Sequence, residues 1–139
     1  MRLLDFLRSR LSWGNLGRRG EAAAARYLEA QGLTILERNF RTRSSEIDLI
    51  ARDAEMLVFV EVKSRTLGER GDGLERIDFR KVRRIRRAAW FYCKRRGDGL
   101  PCRIDGVLVE FTPGRRGRRI QSGIRWYPSL HPFELEDRG

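Results

Sequence analysis

The run Glu46-Ile47-Asp48-Leu49-Ile50-Ala51-Arg52-Asp53-Ala54-Glu55-Met56-Leu57-Val58-Phe59-Val60-Glu61-Val62-Lys63 decides the fold. Two β-rich stretches, 45–51 and 56–63, flank a short polar break, the pattern of a hairpin. Strand side chains alternate between faces. Leu57, Phe59, Glu61 and Lys63 therefore share one face, and Val58, Val60 and Val62 the other. In the first strand Glu46, Asp48 and Ile50 share a face opposite Ile47 and Leu49. If Arg52 faces Leu57, the register sets Asp48 opposite Glu61 and Glu46 opposite Lys63. Directly opposed Cβ atoms lie ~5 Å apart. Carboxylates that close repel, and a divalent cation is the usual compensation. A solvated strand face can carry the same residues, so an E-x-K pair alone says little; the opposed Asp48 is what favours a metal site.

Outward from the hairpin, 33–40 reads as a strand and 17–30 as an Ala-rich helix stopped at Gln31-Gly32. Glu21, Ala24, Ala25 and Leu28 fall on one face of that helix. Glu21 either answers the helix dipole in the first turn or points into the protein body. Residues 1–16 form a basic arm with Leu3, Leu4, Leu7 and Leu11 at helical spacing. Downstream, 64–76 carries Gly68, Gly71 and Gly73 and reads as a mobile loop, either a plain surface connection or a flap over the site. The segment 77–96 is the clearest helix. Val82, Ile85, Ala89 and Tyr92 form its apolar stripe, and Arg80, Lys81, Arg83, Arg84, Arg86 and Arg87 its basic face. A strand at 102–111, a basic tip with Arg115, Arg116, Arg118 and Arg119, a strand at 120–127 and an irregular tail from Pro128 complete the chain. The order implies an α/β fold: a mixed sheet with flanking helices, one domain over 17–130 between the arm 1–16 and a tail 131–139.

The chain has 139 residues and a net charge of +11. That balance favours a polyanion as partner, nucleic acid above all. A hydrophobic fraction of 40% is too high for a disordered basic tail. The lack of a signal-peptide core and of any apolar run near ~18 residues predicts a cytoplasmic protein that crosses no membrane. A single histidine, His131, and two cysteines, Cys93 and Cys102, exclude His-His metal motifs and four-ligand zinc sites. The cysteines read as reduced thiols. Catalysis would then run on carboxylates, lysine or arginine. Of 30 basic residues only Lys63, Lys81 and Lys94 are lysines, so a lysine here stands where arginine was readily available. Trp13, Trp90 and Trp126 read first as packing residues, although indoles also stack on bases.

The combined motifs Gly20-Glu21, Asn39-Phe40-Arg41, Glu46-Ile47-Asp48-Leu49-Ile50-Ala51, Val58-Phe59-Val60-Glu61-Val62-Lys63-Ser64-Arg65 and Arg103-Ile104-Asp105-Gly106-Val107 resemble the YraN family, small bacterial proteins similar to PD-(D/E)XK endonucleases. The resemblance spans about 17–109. Ser45 stands where the family has glycine before its Glu-Ile-Asp. It implies a restriction-endonuclease-like αβββαβ core and phosphodiester hydrolysis in DNA with Mg²⁺ or Mn²⁺. Asp48, Glu61 and Lys63 would form the D…E-x-K signature, and Glu21 its helical acid. Asp48, Glu61 and the Val62 carbonyl would hold the metal, and Glu21 a second metal or a metal-bound water. Lys63 would orient or deprotonate the attacking water, or stabilise charge in the transition state. The basic helix and tip would contact phosphates, DNA rather than RNA. Fold analogy with archaeal Holliday-junction resolvases adds branched DNA as a substrate class, and cutting two strands would favour a homodimer. The alternative is a non-catalytic basic DNA- or RNA-binding module that keeps the fold.

Overall fold

Leu57, Val58, Phe59 and Val60 are all fully buried, because the strand that carries them is covered on both faces. The computed structural model describes residues 3–43, 45–68 and 79–133, of which 3–15, 79–82 and 130–133 are described as backbone only. Its elements are α1 (Leu3–Ala30), β1 (Thr34–Arg41), β2 (Glu46–Asp53), β3 (Met56–Thr66), α2 (Phe79–Arg96), β4 (Cys102–Pro113) and β5 (Arg119–Phe133). The five strands lie in chain order in one sheet. Neighbours are antiparallel except β3 and β4, which run parallel and are joined through α2. This is the αβββαβ order expected from the motifs, with β5 added at one edge.

Two cores fill the two faces. On one, Ala23, Ala24, Ala25 and Leu28 of α1 pack on Leu49, Ala51, Val58, Val60, Val107, Val109 and Phe111. On the other, Ile85, Ala88, Ala89 and Tyr92 of α2 pack on Ile50, Leu57, Phe59 and Ile104. Tyr92 meets Phe40 and Phe59 edge-on at 5.3 and 5.9 Å. Cys93 Sγ lies 3.3 Å from Cys102 Sγ, joining the end of α2 to the start of β4; both are free thiols.

Helix α1 ends as its sequence requires. Gly32 has φ +98, the Gly32 N–H reaches the Glu29 carbonyl, and the Leu33 N–H reaches the Leu28 carbonyl. Leu28 and Leu33 are both in the core beneath this turn, which completes a Schellman cap.

Three boundaries differ from the sequence reading. The arm is no separate segment in secondary structure: helix begins at Leu3 and runs unbroken into α1. The first residues of the expected loop, 64–66, belong to β3, because parallel pairing with β4 continues to Thr66 opposite Phe111; residues 69–76 of that loop, and 77–78 of the expected helix, lie outside the described residues. Strand β5 continues past Pro128 to Phe133, pairing Ile104 with His131 and Cys102 with Phe133. Prolines are tolerated there because β5 is an edge strand. The register also slips between Ile104 and Gly106, and the Asp105 carboxylate accepts the Ser129 N–H within the slip.

Helix α1 approaches the sheet closely at Gly20. A Cβ there would lie 1.9 Å from Ser64 Oγ and 3.3 Å from Ser64 Cβ. Gly20→Ala is therefore expected to destabilise by about 1–3 kcal/mol through overpacking, although Ala gains ~1 kcal/mol over Gly inside a helix. Urea unfolding checks this. Adding Ser64→Ala removes the closer clash and is expected to restore most of the stability.

Candidate active site

The hairpin register is the expected one. Arg52 pairs with Leu57, Ile50 with Phe59 and Leu49 with Val60. There the β2–β3 ladder stops, one position short of Asp48 and Glu61. Instead of a backbone carbonyl, the Asp48 carboxylate accepts the Val62 N–H, at 2.8 Å. Glu61 is only 6% exposed, and its neighbour on β4 is Gly106, which has no side chain to crowd it. A carboxylate so buried is rare unless it is partnered. Lys63 follows two residues along β3, on the same face by alternation and half-buried.

Strict alternation fails in β2. Leu49 belongs to the α1 core, whereas Ile47, two residues away, belongs to the α2 core. Strand β1 does the same: Phe40 packs on the α2 side, and Arg38, two residues earlier, reaches Glu29 of α1. Between them Asn39 has φ 51. This left-handed residue rotates β1, and β2 follows through the pairs Arg38–Leu49 and Phe40–Ile47. The expectation that Ile47 shares a face with Leu49 is thus corrected. Asp48 lies at the rotation.

Asn39 also contributes its side chain. With the amide nitrogen turned toward the two carboxylates that face it, it donates to Glu21 Oε2 at 3.0 Å and to Glu46 Oε1 at 3.2 Å. In the sequence Asn39 stands only within the Asn39-Phe40-Arg41 motif, with no role of its own. The available signal is an asparagine inside a strand, one of the few residues that accept a positive φ.

Glu46, expected opposite Lys63, turns the other way. It pairs with Arg41 of β1, at 3.5 Å, because the β2–β3 ladder ends before it reaches that position. Glu21 is half-buried on the packed face of α1. Since α1 starts at Leu3, Glu21 is in mid-helix and not in a first turn, so the helix dipole does not account for it. Burial first, then the charge of Glu46, pushes its carboxyl above the usual range; the Asn39 hydrogen bond opposes this, and Glu61 adds to it. Glu21 thus feels the charge of both Glu46 and Glu61, which disfavours its own ionised form.

Among the described residues no group of three or more His, Cys, Asp or Glu is spaced to hold a metal ion. Magnesium asks for less. It takes one or two carboxylates and keeps several waters. Asp48 and Glu61, with the Val62 carbonyl, offer oxygen donors of the kind that Mg²⁺ and Mn²⁺ accept.

The expected phosphate-binding residues divide between two surfaces. Arg83, Arg84, Arg86 and Arg87 are exposed on α2. Arg80 and Lys81 fall in its first turn, with their side chains outside the described residues. Arg115, Arg116 and Arg118 are exposed on the β4–β5 tip, which includes a short 3-10 turn at Arg115–Gly117. The tip leans toward the α1 side, where Arg19 donates to the Arg119 carbonyl at 2.7 Å. Since Lys63 pairs with Leu108 and Thr66 with Phe111, the tip projects from the same end of the sheet as the acidic residues.

Asp105 is fully buried and structural. It accepts from Arg103 Nε at 3.0 Å, Trp126 Nε1 at 2.9 Å and Ser129 N at 2.8 Å. Trp126 also packs edge-on against Tyr27 at 6.5 Å, so this indole holds β5 and is not offered to a ligand.

The model of Uncharacterised protein family UPF0102, the YraN family, matches residues 20–109. The chain belongs to this family. A UPF0102 protein of Pelotomaculum thermopropionicum is 48% identical over 107 residues, 76% of this chain and 89% of the relative. One of Hahella chejuensis is 39% identical over 115 residues, 82% of this chain and 87% of the relative. One of Chlorobium chlorochromatii is 50% identical over 95 residues, 68% of this chain and 74% of the relative. The UPF0102 match spans Glu21, Asn39, Glu46, Asp48, Glu61 and Lys63 as well as α2; it ends before β5 and the basic tip. Among the described residues no helix is long and apolar enough to cross a membrane.

The raised carboxyl of Glu21 gives a test in chelator. Its charged form is disfavoured in the folded state, so stability falls as pH rises from the unfolded value of 4.5 through the folded one. Glu21→Gln keeps an acceptor for Asn39 and removes the charge. Its melting temperature is expected to exceed wild type at pH 7, and the gain is expected to vanish once pH falls below 4.5.

Proposed function

We propose that this protein is a metal-dependent endonuclease that hydrolyses phosphodiester bonds in DNA. The observation that carries the reading is the end of the β2–β3 ladder. There Asp48 takes the Val62 N–H, beside a buried Glu61 and with Lys63 next on the same strand face. The motif resemblance and the αβββαβ order support it.

A phosphodiester is an anion and resists anionic nucleophiles. A Mg²⁺ or Mn²⁺ bound through Asp48, Glu61 and the Val62 carbonyl supplies charge neutralisation and a water of lowered pKa. Asp48 keeps one oxygen on Val62 N–H, so its other oxygen is held in a fixed direction. Lys63 brings a compact point charge with three rotatable donors, which a planar guanidinium does not reproduce. Its role is to orient or deprotonate the attacking water, or to stabilise charge on the phosphate. Glu21, already reluctant to ionise beside Glu46 and Glu61, is suited to bind a metal-bound water. Exposed arginines on α2 and the tip supply phosphate contacts without base reading.

Single-turnover cleavage of a panel of duplex, single-stranded, flap and branched DNA tests this, with Mg²⁺, Mn²⁺ and chelator. Wild-type cleavage is expected to need the metal. Asp48→Asn is expected to abolish it while DNA binding survives. Lys63→Ala is expected to cost about a hundredfold or more in rate with affinity nearly unchanged, and Lys63→Arg not to rescue it. Glu61→Gln is expected to be partly restored by excess metal. Absence of cleavage in wild type with intact DNA binding returns the case to a binding module.

Binding itself has a separate signature. Log affinity for duplex is expected to fall linearly with log salt. Arginine-to-alanine changes at Arg83, Arg84 or Arg87 are expected to reduce the slope by ~0.9 for each phosphate that is no longer neutralised. Titrations at several salt concentrations measure it.

A further inference from the structure

Helix α2 turns Ile85, Ala88, Ala89 and Tyr92 inward. Its outer face is basic, but two large aromatic side chains interrupt it. Trp90 is 37% exposed and Phe91 49% exposed. Their rings meet edge-on at 5.2 Å and 78°. Lys94 Nζ lies over the Trp90 ring, 5.5 Å from its centre.

We infer that Trp90 and Phe91 form a stacking platform for unpaired bases, so that the outer face of α2 grips a single-stranded stretch of nucleic acid. The positions 83, 87, 90 and 94 follow one another at helical steps of four, three and four, which puts Trp90 within a stripe otherwise made of Arg83, Arg87 and Lys94. A surface that binds only phosphates has no use for exposed rings, because phosphate contacts need charge and hydrogen bonds. A second copy of this chain is a poor occupant, since it would bring two strongly cationic helices face to face. A polyanion with aromatic faces meets both requirements. Duplex DNA keeps its base faces stacked inside, whereas unpaired bases present them, and stacking on side-chain rings tolerates any sequence. The edge-on contact makes each ring a brace for the other, and Lys94 keeps a cation beside the ring, where the phosphate flanking a stacked base needs one. The inference rests on the reading that this basic surface meets nucleic acid. It does not rest on cleavage.

The test compares the full chain with Trp90→Ala/Phe91→Ala, and with Trp90→Phe/Phe91→Tyr, which keeps both rings. Each binds, without metal, a short oligothymidine strand, an abasic oligomer of the same length and a duplex. Wild type is expected to prefer oligothymidine to the abasic oligomer. The double alanine variant is expected to bind oligothymidine about tenfold or more weakly, while its abasic and duplex affinities and its salt slope stay the same. The ring-keeping variant is expected to bind as wild type. Quenching of tryptophan emission by oligothymidine is expected to weaken in Trp90→Phe. Equal wild-type affinity for oligothymidine and the abasic oligomer, or unchanged oligothymidine affinity in the double alanine variant, overturns the platform and leaves a phosphate-binding surface intact. No binding to any of the three overturns both readings. A wild-type dimer in sedimentation that the alanine variant abolishes, with nucleic-acid affinity unchanged, assigns the patch to a second copy and also overturns the inference.

Discussion

The hydrogen bond from the Val62 N–H to the Asp48 carboxylate is the contact on which the site depends. In an ordinary antiparallel pair that N–H would find a backbone carbonyl. Here β2 and β3 part after Leu49 and Val60, and a side chain does the satisfying. Parting without a replacement acceptor would leave a donor unpaired in a half-buried place, which is costly. The carboxylate therefore keeps the opening stable, and the opening gives both acids room beside the β4 backbone at Gly106. Helix α1, allowed close by Gly20, brings a third acid to the same end.

The acidic end sits in a protein of net charge +11. That contrast has a physical use. Under the proposed function, exposed arginines on α2 and on the β4–β5 tip would raise the local concentration of a polyanion, while the carboxylates would repel it unless something neutralised them. The tension is visible in Glu21, whose proton is held more tightly than usual. Asn39 relieves part of it as a neutral donor shared by two carboxylates. On β4, one residue before Gly106, charge is handled differently. Asp105 is buried but fully hydrogen-bonded, with Arg103 running on to Asp53, at 3.0 Å, so that it fastens strands and attracts nothing.

Much of this is legible in the sequence where local pattern governs. The polar break at 52–55 sets the hairpin register, and the stripe of Ile85, Ala89 and Tyr92 identifies the buried face of α2. What escapes is set by distant partners. Alternation does not reveal that Asn39 takes a positive φ and rotates two strands, since a left-handed residue is chosen by the packing on both sides. Glu46 faces Lys63 only if the ladder is extended past its real end. The continuous start of α1 overrides two glycines at 14 and 17, and β5 outruns Pro128 because the buried Asp105 carboxylate holds the Ser129 N–H. Trp90 and Trp126 are alike as residue types, and only burial separates the one that packs from the one that faces solvent.

Among the described residues the sheet ends in two outer strands, β1 and β5, and this carries one more consequence. A bare strand edge is a template on which another chain can add, and long flat edges seed aggregates. Strand β5 is fifteen residues long, a length that would be hazardous if all its amides were available. Pro128 and Pro132 remove two of those amides, and Ser129 spends its own inside the sheet. At the opposite margin β1 carries Glu37, Arg38 and Arg41, and its left-handed Asn39 spoils the flatness that a docking strand needs. The residue that donates to two carboxylates therefore also bends the outer strand away from the flat shape on which a second copy would dock.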